Sequence, residues 1–294
     1  MYSYRHAFHA GNHADVLKHT MLVAILRHLA QKDTPLMAVD THAGAGLYRL
    51  DGEYAGTSGE AQDGLLKLAK TSSALETVAP AISDYLQMVA AFNKKGQWKV
   101  YPGSPFVIHG ELREADKLRL FEMHPTDSKA LAGHVAQLEA GRQVTVDRRD
   151  GFESLKALIP PPQRRALVLI DPSYEIKSDY AKVQAAVQDS LKRFATGVYV
   201  VWYPIIPRAE AHDLPRRLKT IANNAGKPWL HATLSIGHAQ HQPGEGAQPQ
   251  GLTASGMFVV NPPHTLKPAM QAALPQLVEM LGRGRGQGHV LESS

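Results

Sequence analysis

The chain has 294 residues, 44% hydrophobic and 20% charged, a composition that suits one large soluble α/β domain, or one domain carrying an insertion, better than several small units. It contains no cysteine, which excludes disulfides, cysteine nucleophiles and thiolate metal sites and is compatible with a reducing compartment. The formal net charge of +5 pushes mildly toward a polyanionic partner such as RNA or DNA; without a signal-like apolar stretch at the amino terminus or any run of membrane-spanning length, a cytoplasmic protein with no membrane association is expected.

The first predicted element is a helix opening at Asn12. Val16, Leu17, Met21, Ala24, Ile25 and Leu29 fall on one face, Asn12 can cap, Asp15 sits in the first turn and Pro35 closes it. Ahead of it lies an arm rich in tyrosine and histidine, Tyr4-Arg5-His6 through Asn12. His9 and His13 have the spacing of two metal ligands on one helical face. Gly11 and Asn12 put His9 ahead of the helix, however, and no carboxylate repeats the pattern, so no metal is expected and contacts to a ligand or to RNA suit the arm better.

The strand Leu36-Met37-Ala38-Val39 ends in Asp40 and the turn Gly44-Ala45-Gly46. Such glycines let a ligand approach the backbone closely, but the dinucleotide fingerprint would want a third glycine where Arg49 stands, which disfavours a nicotinamide cofactor. Asp40 suits a ligand with a cationic amino group, as in S-adenosylmethionine. The acid that holds ribose hydroxyls ordinarily follows the glycines by about 20 residues. Here the best candidate is Glu122, at the end of the strand-like Lys117 to Phe121, so an insertion intervenes. It is placed at residues 51–98, with a Gly/Ser-rich entry (Gly56, Ser58, Gly59) and helical patterns around Leu65 to Lys70 and Ile82 to Phe92. Residues 1–50 and 99–294 then form the main domain; Lys94, Lys95 and Lys99 at the exit are suited to phosphates.

Tyr101-Pro102-Gly103-Ser104-Pro105 makes a tight turn before a helix expected over residues 106–114, from which Ser104 either donates to a ligand carboxylate or caps the helix. Val144-Thr145-Val146 is a short strand followed by Asp150-Gly151 and a helix opening at Phe152; Asp150 either accepts from an exocyclic amine such as that of a cofactor adenine or caps. The apolar run Ala166 to Ile170 reads as a fully buried parallel strand that delivers Asp171-Pro172-Ser173-Tyr174 to the carboxyl edge of the sheet, where open α/β folds bind ligands. Helices over residues 180–194 and 211–224 and strands over 197–202 and 229–236 follow. A loop over residues 237–251 leads to a final strand, Gly256 to Val260, expected to be antiparallel because adjacent strands joined without a helix normally are. Gly282 to His289 reads as a flexible basic tail of the kind that contacts RNA nonspecifically.

Asp171-Pro172-Ser173-Tyr174 resembles the (Asp/Asn)-Pro-Pro-(Tyr/Phe) motif of methyltransferases that act on amino groups. Together with Tyr4-Arg5-His6 through His19, Asp40 through Gly46, Tyr101 through Pro105, Asp171 through Glu175 and Thr253-Ala254-Ser255-Gly256-Met257, it makes the whole chain similar to the RlmJ family of bacterial 23S ribosomal RNA adenine-N6 methyltransferases. The resemblance implies an α/β, Rossmann-like class I methyltransferase fold with a seven-stranded, mostly parallel sheet, an antiparallel last strand and a small inserted helical subdomain. It implies S-adenosyl-L-methionine as cofactor, held by Lys18, His19, His42, Ser104, Glu122, Asp150 and Gly151. Asp171 would be catalytic and Tyr4, Pro172 and Tyr174 would meet the substrate, a single adenine of 23S ribosomal RNA, in an enzyme acting as a monomer. The sequence departs from the pattern at Ser173, where the family has a second proline, which should loosen the loop under Tyr174. Asn261-Pro262-Pro263-His264 carries two prolines but follows the last strand and ends in histidine, so Asp171 is the better candidate. Methyltransferases acting on DNA adenine or a protein glutamine would share the motif, and a non-catalytic RNA-binding module would account for the charge alone.

Overall fold

The computed structural model describes residues 6–51, 60–238 and 251–294. Tyr4, the glycine-rich entry to the insertion and most of the loop before the last expected strand lie outside the described residues. An eight-stranded sheet in the order β10-β8-β9-β7-β6-β1-β4-β5 organises the chain. Its strands are β1 (Met37–Asp40), β4 (Lys117–Phe121), β5 (Val144–Asp147), β6 (Ala166–Ile170), β7 (Val198–Pro204), β8 (Trp229–His238), β9 (Ala254–Val260) and β10 (Arg285–Ser293). β2 (Leu47–Arg49) and β3 (Val100–Pro102) form a separate antiparallel ribbon at the two ends of the insertion.

Alternation along each central strand divides the core in two. Leu167 and Leu169 of β6 join one apolar cluster with Ala38 and Val200, whereas Val168 and Ile170 join a second with Val39 and Val201. The first is covered by α1 (His13–Ala30), α4 (Ser104–Glu111), α9 (Leu266–Leu281) and the insertion; the second by α6 (Gly151–Leu158), α7 (Ser178–Arg193) and α8 (Ala209–Asn224). A further helix, α5 (Pro125–Ala136), follows β4. α1 starts where expected, with Asn12 Oδ1 accepting from the amides of Ala14 and Asp15 at 3.0 and 2.9 Å. It is buried on nearly all sides because the insertion covers the face turned away from the sheet. That insertion contributes a π-helical turn (Gln62–Leu66), α2 (Lys67–Ser72) and α3 (Pro80–Ala90), whose Leu65, Leu68, Ile82 and Tyr85 enter the same cluster as Leu17 and Met21.

Two expectations are corrected. β9 is antiparallel to both β7 and β8, as its loop connection requires, but it is not the last strand. The chain continues through α9 into β10, which pairs antiparallel with β8 along Arg285 to Ser293, so the expected seven strands are eight and the expected flexible tail is mostly an ordered edge strand. Its pairing partner, not its glycine- and arginine-rich composition, decides its conformation. Secondly, α4 begins at Ser104 with Gly103 as its cap residue, so Ser104 lies in the first turn and is not the cap.

Candidate active site at the carboxyl edge

The strand order reverses direction between β6 and β1, which opens a crevice at their carboxyl ends, and the residues singled out in the sequence gather around it. Asp171 leaves β6 there. Lys18, one turn into α1, donates from Nζ to Asp171 Oδ2 at 2.7 Å and pairs with Asp15 Oδ1 at 2.9 Å. Burial opposes the Lys18 charge, but Asp15 and Asp171 outweigh it and hold the ammonium well above its ordinary pKa. Asp15 is itself 1% exposed; burial works against its charge and is outweighed by His6 and Lys18, which hold the carboxyl well below the usual range. Its second oxygen takes bonds from His6 Nε2 and the Gly11 amide, both at 2.9 Å. Lys18 therefore fixes one oxygen of Asp171, whose Oδ1 has no partner among the described residues.

Around the exit of β1 the contacts interlock. Asp40 is fully buried, accepts from Ser104 Oγ at 2.6 Å and from the His42 amide at 3.2 Å, and is pushed up to about 7 by burial. Its two oxygens serve the loop backbone and Ser104, with one bond to each. Gly44 and Gly46 have φ of +60° and +84°, and a Cβ on them would lie 2.4 Å from the Tyr48 hydroxyl and 2.7 Å from the Phe106 ring, so only glycine makes this turn. Glu122, at the end of β4, receives the Gly44 amide at 2.8 Å and the His124 amide at 2.7 Å, with its pKa raised by burial. His42 packs edge-on to Phe152 with ring centroids 4.8 Å apart, and burial lowers its pKa to about 4. Asp150 does cap α6, accepting from the Phe152 amide at 2.8 Å through Oδ1. At Gly151 a Cβ would sit 2.1 Å from the Thr41 carbonyl oxygen, so the start of α6 can close on the β1 exit only with glycine there.

The structure thus brings Lys18 to Asp171, and His42, Ser104, Glu122, Asp150 and Gly151 to the neighbouring loop. His19 turns elsewhere: it is fully buried, shares a 2.7 Å hydrogen bond from Nδ1 with the Tyr101 hydroxyl, and its Nε2 has no partner among the described residues. Burial, then Lys18, lowers its pKa to about 3, so it is neutral. Two groups the sequence reading did not connect to the site are Arg208, which donates to the Tyr174 carbonyl oxygen at 2.7 Å, and Trp202, whose carbonyl oxygen accepts from the Tyr174 hydroxyl at 2.7 Å. Neither contact has a local sequence signal. Asp15 did have one, since it stands one turn before Lys18.

Tyr174 has a φ of +55° and its ring is 2% exposed, packed against Tyr180 at 4.6 Å between centroids. Stacking on a base requires that ring to leave Tyr180, so in this conformation it anchors the loop. Pro172 is buried and Ser173 exposed. The loop is fixed from its aromatic end, not by a second proline. The competing segment at Asn261 lies at the opposite edge of the sheet, where Asn261 Nδ2 donates to the carbonyl oxygens of Ala195 and Gly197 at 3.0 and 2.7 Å.

The donor set fits S-adenosylmethionine. Beyond its two backbone bonds, Glu122 keeps lone pairs for a pair of ribose hydroxyls, and Asp150 Oδ2 has no partner among the described residues.

The whole chain is similar to proteins of one family. The family model described as ribosomal RNA large subunit methyltransferase D, RlmJ, matches residues 33–292. Ribosomal RNA large subunit methyltransferase J of Escherichia coli is 40% identical over 293 residues, covering 100% of this chain and 98% of that protein. The protein of the same name from Haemophilus influenzae is 39% identical, covering 96% of this chain and 94% of its own. A crystal structure of a Legionella pneumophila protein superposes with a TM-score of 0.83 at 31% identity, over 97% of this chain and 98% of that one.

Proposed function

The chain belongs to the RlmJ family of ribosomal RNA large subunit methyltransferases, and from that membership we propose that it moves a methyl group from S-adenosyl-L-methionine to the exocyclic N6 of one adenine of 23S ribosomal RNA. The observation that carries the chemistry is the carboxylate of Asp171, held at one oxygen by Lys18 and open at the other, at the crevice where the sheet changes direction.

The cofactor supplies an electrophilic methyl group. Glu122 would hold its ribose, Asp150 its adenine amine, the turn Gly44-Ala45-Gly46 its backbone-facing side, and His42, Ser104 and Gly151 the wall around it; Lys18 stands at the β6 side, with His19 behind it against Tyr101. Adenine N6 is a poor nucleophile because its lone pair is delocalised into the ring, so the amine has to be positioned and helped toward tetrahedral geometry. Asp171 Oδ1 accepts one N6 hydrogen and the Pro172 carbonyl oxygen the other. An ordinary aspartate is a weak base at neutral pH, so orientation and electrostatic stabilisation are its main tasks, with proton loss late. The target base is taken out of its stack to reach this crevice. Tyr4 meets the RNA from the amino-terminal arm, and Tyr174 holds the loop beneath the base.

The exposed Lys94, Lys95 and Lys99 at the end of the 51–98 insertion would contact phosphates, giving that helical subdomain a role in RNA docking. A monomer acting in the cytoplasm, without membrane or metal, completes this reading. The test is transfer of labelled methyl from S-adenosylmethionine to 23S RNA from a strain lacking this gene, with the product mapped to one adenine N6. Incorporation into DNA or protein but not into the RNA would overturn it.

A further inference from the structure

The opposite, amino edge of the same sheet carries a second site. A cavity of about 430 Å³ opens there between the end of α1 and the starts of β1, β6 and β7. Its floor is apolar, from Leu36 and Val198, and its rim is cationic, from Lys32, Arg164 and Arg165, with His28, whose pKa burial lowers, beside them. No acidic residue lines it. The volume is within the range of small-ligand clefts, roughly 300–1,000 Å³, and an apolar floor with a few convergent polar groups is what such clefts present.

The cations there are not spent on acids. Among the described residues Lys32, Arg164 and Arg165 form no ion pair. Arg165 is occupied with the backbone: its guanidinium donates to the carbonyl oxygens of Leu29 at 2.6 Å, Lys32 at 3.2 Å and Thr34, so it closes the end of α1 while keeping its full charge. Of the two acids close by, Asp116 is committed to Arg113 at 2.9 Å and to the Leu36 amide at 2.7 Å, and Asp33, next to Lys32 in the chain, acts on Arg113 and is not among the lining residues. Arg164 stands exposed with its guanidinium 5.9 Å from the Phe194 ring, and Lys32 is exposed. His28 shares a 3.0 Å bond between Nδ1 and the Thr265 hydroxyl and packs edge-on to His264 at 4.9 Å. Three positive charges converging on a half-apolar cleft without a counterion leave electrostatic potential that an anion can satisfy.

We propose that this cavity binds a nucleotide phosphate, with Lys32 and Arg164 as the phosphate contacts, Arg165 supplying charge from behind and Leu36 and Val198 receiving the apolar part of the nucleotide. The site is separate from the carboxyl edge, since the five residues of β6 span roughly 16 Å between the two. The phosphate has two possible sources, a free mononucleotide or a nucleotide of the bound RNA, and both present the same group.

The test uses the full-length protein and the double variant Lys32→Ala, Arg164→Ala. Both side chains are exposed and outside the catalytic edge, and the backbone carbonyl of Lys32 that Arg165 and Arg113 hold is unchanged. Uridine 5′-monophosphate is titrated calorimetrically, and a 23S RNA fragment at several salt concentrations, into both proteins. Unchanged melting temperature and S-adenosylmethionine affinity serve as folding controls, and methylation by the wild type reports on the main site independently. If the source is a free nucleotide, the variant should bind the monophosphate about tenfold or more weakly. If it is the RNA, monophosphate binding is absent from both and the salt slope for RNA falls by roughly two. Wild-type and variant curves that coincide for both probes would overturn the proposal.

Discussion

Lys18 and Asp171 are 153 positions apart in the chain and 2.7 Å apart in space, and Lys18 touches Asp15 as well, so one buried ammonium serves two carboxylates. The pairing orients Asp171 without closing off Oδ1. Asp171→Asn keeps the shape and loses the charge; we expect methyl transfer to fall by about a hundredfold or more with S-adenosylmethionine affinity nearly unchanged. Lys18→Met should behave differently. It removes the ammonium from Asp15, 1% exposed, and from Asp171 and leaves Asp15 only His6 and the Gly11 amide, a loss of about 3–5 kcal/mol of stability, which a denaturant titration reads directly. Equal stability of Lys18→Met and wild type would show that the triad is not coupled as described.

How much of this was legible beforehand follows the range of the interactions. The buried β6 and the acid after it could be read from a local apolar run, and the antiparallel β9 from the lack of a connecting helix. β10 could not, because Gly282 to Gly288 has a linker-like composition and becomes a strand only beside β8, more than forty residues earlier in the chain. The surroundings of Asp40 were hidden for a related reason. An acid at a strand end invites a ligand, but whether it faces the crevice or the core depends on the arrival of Ser104 from α4.

Gly151 gives a sharp test of the α6 contact. In Gly151→Ala the new Cβ meets the Thr41 carbonyl oxygen, which is backbone and cannot yield cheaply. A cost of about 1–3 kcal/mol is expected, together with weaker S-adenosylmethionine binding as Asp150 shifts. Gly133→Ala is the control of opposite sign. It lies within α5 with nothing within 4 Å of its Cβ, so helix propensity should stabilise it by about 0.8–1 kcal/mol. Denaturation midpoints that move in the same direction for both would contradict the packing described.

The pH dependence of stability should be set by neutral buried histidines. His13, His19 and His42 are lowered to about 4, 3 and 4, all chiefly by burial. A histidine with a depressed folded pKa stabilises above its unfolded value near 6.5 and loses that contribution as the pH falls toward the folded one. Asp40, pushed up to about 7, runs the other way: its contribution is complete below about 4 and is lost as the pH rises through 7. Of the groups shifted furthest in this window, the three histidines outweigh Asp40 and predict a net loss of stability between pH 6.5 and 4.5, on the order of 1–2 kcal/mol for each histidine. Asp40→Asn should steepen that loss by removing the opposing group. Chemical denaturation at pH 5 and pH 7 compares the two proteins.

Ser173 replaces the second proline of the family motif, and the structure supplies the rigidity from other contacts. Tyr174 is tied by its hydroxyl to the Trp202 carbonyl oxygen, by its own carbonyl oxygen to Arg208 and by its ring to Tyr180, while the Ser173 side chain is exposed. Ser173→Pro should accordingly change turnover little, by less than about threefold. Arg208→Ala removes a charged hydrogen bond worth about 1.5–3 kcal/mol and frees the loop, so turnover should fall about tenfold or more. Tyr174→Phe, which loses only a neutral hydrogen bond of about 1 kcal/mol, should lie between them. Initial rates on the same RNA substrate rank the three. A large gain from Ser173→Pro would mean that the loop is slack at the proline position after all, and that its three aromatic-end contacts do not hold Asp171 and Tyr174 in register.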